Sequence, residues 1–207
     1  MKALLLKDFY VLRKQMWVYA IIVLAWGVVP QAWLNLLAVV YGSIIPYSAM
    51  AYDQRSRWDK FTRMLPYSDQ AAVMSRYVLG WIFILASAAI VMLSQGILSQ
   101  LSILSAFFSA LPLRILFVAL CIGCLLLALN IPLMLRFGAE KARLVSALTT
   151  FLVFASAGAL SGLADAESTA PVMLALPVLA VLAIIATAVS IPLSLKIYRQ
   201  VINSSMG

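Results

Sequence analysis

The chain has 207 residues, of which 65% are hydrophobic and only 11% are charged. Soluble domains carry about a quarter charged residues, so this composition excludes a soluble globular protein. It indicates an integral membrane protein with one domain, residues 1–207. The formal net charge is +8, but the basic residues lie in short segments between long apolar runs. That distribution is typical of membrane topology rather than of nucleic-acid binding, and we expect no nucleic-acid partner.

The chain begins with a basic, amphipathic segment. In a helix its apolar residues share one face, and these are Leu5, Phe9, Leu12 and Met16. Lys7 and Lys14 lie on the opposite face, which is the pattern of a helix in the headgroup plane of a membrane. We therefore predict an interfacial helix over residues 1–15. The alternative is a simple cytoplasmic extension of the first membrane span.

Residues 16–52 contain no charged side chain. At about 1.5 Å per residue, this run is too long for one membrane crossing and fits two. Pro30 and Gln31 mark the turn between the two crossings. We therefore predict a hairpin of two spans, over residues 16–33 and 35–52.

Four further apolar runs follow, separated by short polar segments. They predict spans over 77–99, 115–135, 144–163 and 172–195, so that the chain is an all-α membrane protein with six transmembrane helices. Of the fifteen Lys and Arg residues, fourteen lie on one side of this arrangement and only Arg114 lies on the other. The positive-inside rule makes the basic side cytoplasmic. Both termini are therefore predicted to be cytoplasmic.

No charged residue lies well inside any predicted span. A charge at the bilayer centre costs about 2.5–3.5 kcal/mol and usually marks an ion or proton pathway, so the sequence argues against an ion-coupled transporter. The chain has no histidine and no P-loop motif, and it has no intramembrane carboxylate pair for hydrolysis. Cys121 and Cys124 are interpreted as packing residues one helical turn apart. We expect neither enzymatic activity nor a metal site.

The segment after the second span, residues 53–76, is the informative polar part of the chain. A helix over about residues 54–65 places Trp58, Phe61 and Leu65 on one face, and a proline directly after it ends the helix. One interpretation is an amphipathic segment that rests on the membrane. The other is a docking element that fits an aromatic plug into a groove on a cytoplasmic partner.

Charged residues four apart in this segment are predicted to form ion pairs. The pairs are Asp53 with Arg57, Arg55 with Asp59, and Asp59 with Arg63. At the start of the next helix, Ser68 is predicted to be the N-cap residue, and Asp69 suits the positive end of the helix dipole. A short cytoplasmic helix is therefore expected to lead through a turn into the third span.

Four passages of the chain resemble the small ABC-2-type transporter permeases, which are the membrane subunits of bacterial ABC exporters. They are KALLLKDFYVLRKQ at the start, YDQRSRWDKFTRMLPYS after the second span, IPLMLRFGAEKAR at the end of the fourth span and SLKIYRQ in the tail. The second passage is the most specific, and the layout matches along the whole chain. The resemblance is closest to compact permeases of peptide and phenol-soluble-modulin exporters. It implies a multi-pass protein of the bacterial cytoplasmic membrane.

The resemblance implies a permease that forms the export path for a hydrophobic or amphipathic substrate, with a peptide or toxin as the first expectation. It implies a dimer with a second copy or a sister permease, and two ABC ATPase subunits that carry ATP and magnesium, so that no cofactor is expected on this chain. The helix after the second span, within residues 53–68, is then the coupling helix. Its implied plug residues are Trp58, Phe61 and Leu65, and its implied rim residues are Arg55, Asp59, Lys60 and Arg63.

Four polar side chains in the predicted spans are candidates for the transport pathway. They are Ser87, Ser94 and Gln95 on the third span and Asn130 on the fourth. Each is equally suited to a hydrogen bond between helices. A second functional hypothesis also stays open, namely a non-transporting scaffold, immunity or regulatory protein of the membrane. Its motivation is the lack of a polar substrate site in the spans.

Overall fold

A computed structural model of the chain describes residues 2–29, 31–56, 58, 68–100, 113–164 and 169–204. Every regular element in this described part is a helix, so the predicted all-α class is confirmed there. In chain order the elements are α1 (Lys2–Val28), α2 (Ala32–Tyr41), a 3-10 turn (Gly42–Ile44), α3 (Ile45–Arg55), α4 (Asp69–Gln100), α5 (Leu113–Ala164) and α6 (Thr169–Ser204).

Five stretches of the described helices are long and apolar enough to cross a membrane. They are Ala3–Val28, Leu34–Arg55, Asp69–Ser99, Ile115–Gly138 and Pro177–Gln200. Each overlaps one of the six predicted spans. The remaining predicted span, over 144–163, falls in the second half of α5, where the side chains just beyond Phe151 are outside the described part. The count of six spans and the cytoplasmic side of the protein stay predictions.

Helix α1 runs without a break from Lys2 to Val28, where the sequence predicts an interfacial helix over 1–15 and a separate span after it. The structure differs from the prediction at this boundary and has one extended helix instead. No glycine or proline interrupts the chain between Lys2 and Trp26, so nothing in the sequence breaks the helix. Lys7 also contacts another part of the protein, and its charge therefore needs no headgroup partner.

The helices alternate in direction, so that their ends meet in two groups. Lys7 near the start of α1 and Arg76 near the start of α4 both bond to Asp53 near the end of α3. Asp69, the first residue of α4, lies 3.5 Å from Arg199 near the end of α6. These contacts place the start of α1, the end of α3, the start of α4 and the end of α6 together. We call this end of the bundle the charged end.

Helix α5 bends at Gly138, whose φ of 76° and ψ of 171° are not helical. This combination of angles is essentially confined to glycine. The bend divides α5 into a first arm, residues 113–137, and a second arm, residues 139–164. A Cβ atom at Gly138 would lie 3.7 Å from Gln54 Oε1 near the end of α3, so the bend is also at the charged end.

Helix α4 lies at the centre of the bundle and contacts α1, α2, the 3-10 turn, α3, α5 and α6. Gly42 permits the 3-10 turn to approach this helix closely, since a Cβ atom there would lie 2.8 Å from the carbonyl oxygen of Phe83. Tyr19 of α1 donates a hydrogen bond to the same carbonyl at 3.0 Å, and its ring meets the Phe83 ring edge-on. Three elements therefore converge on one turn of α4.

We expect Gly42→Ala to lower the free energy of unfolding by about 1–3 kcal/mol, because the added methyl group meets backbone atoms of α4 that cannot rotate away. The measurement is the thermal unfolding midpoint of the purified protein in detergent. Gly96→Ala is the matched control, since a Cβ atom at Gly96 meets nothing within 4 Å. Equal midpoints for the two variants would contradict the close approach at Gly42.

Candidate functional site

Four charged side chains form a network at the charged end. Lys7 Nζ lies 3.0 Å from Asp8 Oδ1 and 2.6 Å from Asp53 Oδ1. Arg76 Nη1 lies 3.3 Å from Asp8 Oδ2, and Arg76 Nη2 donates a hydrogen bond to Asp53 Oδ2. Each cation therefore contacts both carboxylates. This charge network joins α1, α3 and α4.

The two carboxylates of the charge network are buried, with 2% of the Asp8 side chain and 7% of the Asp53 side chain exposed. A carboxylate at this depth is tolerated when it is paired and hydrogen-bonded. Here two cations balance two anions, so the group carries no net charge. The network allows ionised side chains to lie between otherwise apolar helices.

Asp53 pairs across helices, whereas the sequence predicts a local pair with Arg57. Its partners in the structure are Lys7 and Arg76. Asp53 is a buried residue of α3, and its carboxylate meets α1 and α4. Arg57, the predicted partner of Asp53, lies outside the described part of the chain, as do Asp59 and Arg63 of the two other predicted pairs. All three local pairs stay predictions.

The predicted N-cap at the start of α4 is confirmed. Helix α4 begins at Asp69, and the backbone N–H of Ala71 donates to Ser68 Oγ at 3.3 Å. Asp69 lies in the first turn of the helix, where a carboxylate interacts favourably with the helix dipole. The capping residue in the sequence therefore correctly marks where α4 begins.

The predicted coupling helix starts where α3 ends. Arg55, the first of its implied rim residues, is exposed there. Trp58 is half-buried, and Lys7 Nζ lies 4.6 Å from the centre of its ring in a cation–π contact. This contact joins the start of the segment to the charge network. The other implied plug and rim residues lie outside the described part of the chain, and they are Asp59, Lys60, Phe61, Arg63 and Leu65.

Three of the four candidate pathway residues donate hydrogen bonds to backbone carbonyls of other helices. Ser87 donates to Val39 O of α2 at 3.1 Å. Ser94 and Gln95 donate to Gly27 O of α1 at 3.1 and 2.6 Å. The last carbonyls of a helix have no partner within it, so these two side chains satisfy the end of α1. They lie at the end of the bundle opposite the charged end.

The fourth candidate, Asn130, lines a cavity of about 1170 Å³. Its side chain is buried, and its Oδ1 atom has no hydrogen-bond partner among the described residues. The cavity lies between α1, the α2–α3 pair and both arms of α5. Asn130 thus differs from Ser87, Ser94 and Gln95, because its Oδ1 atom is buried and pairs with none of the described residues.

One buried polar cluster is not evident from the sequence. Tyr77 Oη lies 2.6 Å from Ser190 Oγ and 2.8 Å from Ser194 Oγ, and Ser190 donates to the carbonyl oxygen of Ala128. The cluster joins α4, α5 and α6. Ser190 and Ser194 are four residues apart and therefore share one face of α6, which is the only local signal. Their partner on α4 is defined by the packing alone.

Apolar helices that alternate in direction, with most of the charged residues of the described part at one end, define a multi-pass helical membrane protein. The chain belongs to the ABC-2 family of transporter proteins, because the sequence model of that family matches residues 3–199, nearly the whole chain. The predicted class, an ABC-2 permease, is therefore confirmed, and the family implies a membrane component that works with an ABC ATPase subunit. Comparisons with curated proteins and with solved structures gave no match. The peptide-exporter subtype stays a prediction.

Proposed function

We propose that the chain is the permease subunit of an ATP-driven exporter in the bacterial plasma membrane. It forms the translocation path with a second copy of itself or with a sister permease, and two ABC ATPase subunits bind at the charged end, which is the cytoplasmic end. The substrate is hydrophobic or amphipathic, with a peptide or toxin as the first expectation. Membership of the ABC-2 family supports the ATPase partner. The observation that carries the proposal is the charge network beside the predicted coupling helix.

The charge network connects the predicted coupling helix to three membrane helices, α1, α3 and α4. The segment after α3 is displaced when the partner ATPases close on ATP, and this displacement acts on Asp53 at the end of α3. Asp53 is bonded to Lys7 of α1 and to Arg76 of α4. Short ionic contacts in surroundings of low dielectric constant resist separation, so the three helices move together.

The contact between Trp58 and Lys7 adds a second connection. The ammonium group lies against the indole ring at the start of the docking segment, and the same ammonium group bonds to Asp53. A movement of Trp58 therefore reaches α1 directly as well as through α3. In this mechanism the permease supplies no catalytic group, and the free energy comes from ATP hydrolysis on the partner subunit.

Trp58→Ala tests the docking step. Removing the indole ring eliminates one of the three implied plug side chains and the cation–π contact with Lys7. We expect the amount of ATPase subunit that co-purifies with the tagged permease to fall about tenfold or more, as for truncation of a binding hot spot. The measurement is quantitative co-purification after co-expression with the ATPase, followed by the ATP hydrolysis rate of the complex.

Trp17→Ala is the matched control, since Trp17 lies on α1 with 75% of its surface exposed, away from the docking segment. It should retain the ATPase and its activity. Full retention of both in Trp58→Ala would contradict the docking role of this residue. If the unmodified chain captures no ATPase from native membranes, the scaffold, immunity or regulatory hypothesis replaces the proposed function.

A further inference from the structure

Pro132 lies inside the first arm of α5, and the helix continues through it. Proline has no backbone N–H, so the carbonyl oxygen of Ala128, four residues earlier, receives no hydrogen bond from this position. Ala128 is buried, and a buried carbonyl without a donor is unfavourable. Pro132 is therefore a weak point of α5 unless another group supplies the missing donor.

Ser190 of α6 supplies that donor, because its Oγ donates a hydrogen bond to the carbonyl oxygen of Ala128. Side chains of neighbouring helices are one of the means by which membrane helices satisfy the backbone groups that a proline frees. Ser190 is itself buried, so water has little access to this bond. A side chain of α6 thus replaces the backbone bond that α5 lacks.

The three hydroxyl groups of the buried cluster form a chain of hydrogen bonds with a single direction. The carbonyl oxygen of Ala128 can only accept, so Ser190 donates its one proton there. The contact of 2.6 Å between Tyr77 Oη and Ser190 Oγ then needs the proton of Tyr77. The contact of 2.8 Å between Tyr77 Oη and Ser194 Oγ needs the proton of Ser194. Tyr77 of α4 therefore donates to the same oxygen that repairs α5.

The hydroxyl chain lies next to the charge network in the sequence of α4. Tyr77 directly follows Arg76, whose guanidinium group bonds to Asp8 and Asp53. Hydrogen bonds in a buried chain strengthen one another, so the bond from Ser190 to α5 is strongest while Tyr77 donates to Ser190. A displacement of α4 at the charge network therefore also acts on the repair of α5.

We propose that Pro132 is a hinge of α5, and that Ser190 and Tyr77 form a hydroxyl lock that holds this hinge in place. While the lock is closed, the carbonyl oxygen of Ala128 is paired and α5 is held against α6. When α4 withdraws Tyr77, the bond from Ser190 weakens and α5 bends more freely at Pro132. The hinge and its lock do not depend on the proposed function. Their connection to the charge network rests on it and gives the coupling a route from α4 to α5 and α6.

A double-mutant cycle tests whether Ser190 replaces the bond that Pro132 removes. The measurement is the thermal unfolding midpoint of the full-length permease in phosphatidylcholine nanodiscs. We expect Ser190→Ala to lower the midpoint by about 3–6 °C, because the carbonyl oxygen of Ala128 loses its donor. Pro132→Ala restores the backbone N–H, so in that background Ser190→Ala should lower the midpoint by less than half as much. Equal reductions in the two backgrounds would overturn the proposal.

Ser87→Ala is the matched control for Ser190→Ala. Ser87 is also a buried serine, and it donates to the carbonyl oxygen of Val39 at 3.1 Å. That carbonyl oxygen also accepts the backbone N–H of Gly42, so it keeps a donor in the variant. Ser87→Ala should therefore have the same effect with and without Pro132→Ala. A dependence on Pro132→Ala as large as that of Ser190→Ala would assign the effect to general packing and overturn the lock.

The movement at the hinge is tested by a distance across Pro132. Phe117→Cys and Phe137→Cys place spin labels at two exposed positions of the first arm, in a chain whose native cysteines are replaced by alanine. The labels lie about 30 Å apart along the helix, and double electron–electron resonance measures the distribution of this distance. We expect Ser190→Ala to broaden the distribution towards shorter distances and Pro132→Ala to narrow it again. A distribution that stays narrow in Ser190→Ala would show that Ser190 only stabilises the fold, and it would overturn the hinge.

Tyr77→Phe tests the connection to α4, because it removes the hydroxyl group and keeps the ring. In the complex with the ATPase, ATP should shift the distance across Pro132, and Tyr77→Phe should reduce this shift by half or more while the ATPase stays bound. An equal shift in both chains would overturn the role of Tyr77 in the lock. The cycle and the distance in the permease alone need no ATPase. A chain that passes both but binds no ATPase would refute the proposed function alone, and an ATPase complex whose permease fails both would refute the hinge alone.

Discussion

Asp53→Asn is expected to lower the free energy of unfolding by about 3 kcal/mol, near the lower end of the range for breaking a buried ion pair. The substitution leaves Lys7 and Arg76 with Asp8 as their remaining carboxylate partner in the network. The network then carries one excess positive charge between the helices, where the desolvation of its cations is offset less fully. Asp8 still contacts both cations, which is why the loss does not reach the upper end of that range.

The same variant should impair coupling as well as stability. Asp53 is the only member of the charge network on α3, so its removal weakens the link from the docking segment to α1 and α4. We expect the ATPase to remain bound, because the docking surface is unchanged. ATP-dependent export by the reconstituted complex should fall. The measurements are the unfolding midpoint in detergent, ATPase co-purification and transport into inverted vesicles.

Asp69→Asn is the matched control for Asp53→Asn. Asp69 pairs with Arg199 at 3.5 Å, but 43% and 59% of the two side chains are exposed. An exposed pair of this kind contributes about 0–1 kcal/mol, so the midpoint should hardly change. Adding Lys7→Met to Asp53→Asn should recover part of the lost stability, because a neutral pair replaces a broken one. Equal effects of the two aspartate variants would refute the network.

The helical topology was predictable because its determinants lie in local composition. Uncharged runs define where helices cross the membrane, and five of the predicted spans overlap stretches that the structure also shows as apolar helices. The cap at Ser68 was predictable for the same reason, because Ser68 and its hydrogen-bond donor, the backbone N–H of Ala71, are only three residues apart. Helix α1 continues past residue 15 without a break, because amphipathicity alone does not end a helix. The interfacial placement of residues 1–15 stays a prediction.

The charge network was not predictable from local spacing. Pairing rules for residues four apart consider only the partners on the same helix, and they assign Asp53 to Arg57. Its partners in the structure are 46 and 23 residues away, and only the packing of three helices brings them together. The hydrogen bonds of Ser94 and Gln95 were unpredictable for the same reason. The sequence shows that both side chains are polar, but it does not show that their acceptor is Gly27 O on another helix. The role of Asp59, Lys60 and the rest of the docking segment stays a prediction.

Gly138→Ala is the other variant from which we expect a large effect. The φ of 76° and ψ of 171° at this position lie in a region that side chains other than glycine avoid. Forcing alanine into it costs about 1–3 kcal/mol, and relief of that strain would rotate the second arm of α5 relative to the first. Lys141 and Phe151 of the second arm line the cavity together with Asn130 of the first arm. The substitution should therefore disturb the cavity as well as the stability.

The measurement for Gly138→Ala is the thermal unfolding midpoint in detergent, which should fall. Gly123→Ala on the same helix is the matched control, because a Cβ atom there would make only ordinary contacts, at 3.4 Å or more, with Ile84. Alanine also favours a helical backbone over glycine by about 1 kcal/mol, so this control should be neutral or slightly stabilising. If both variants behave alike, the bend at Gly138 does not need glycine. The relative placement of the two arms would then have to be maintained by their contacts with α3 and α6 instead.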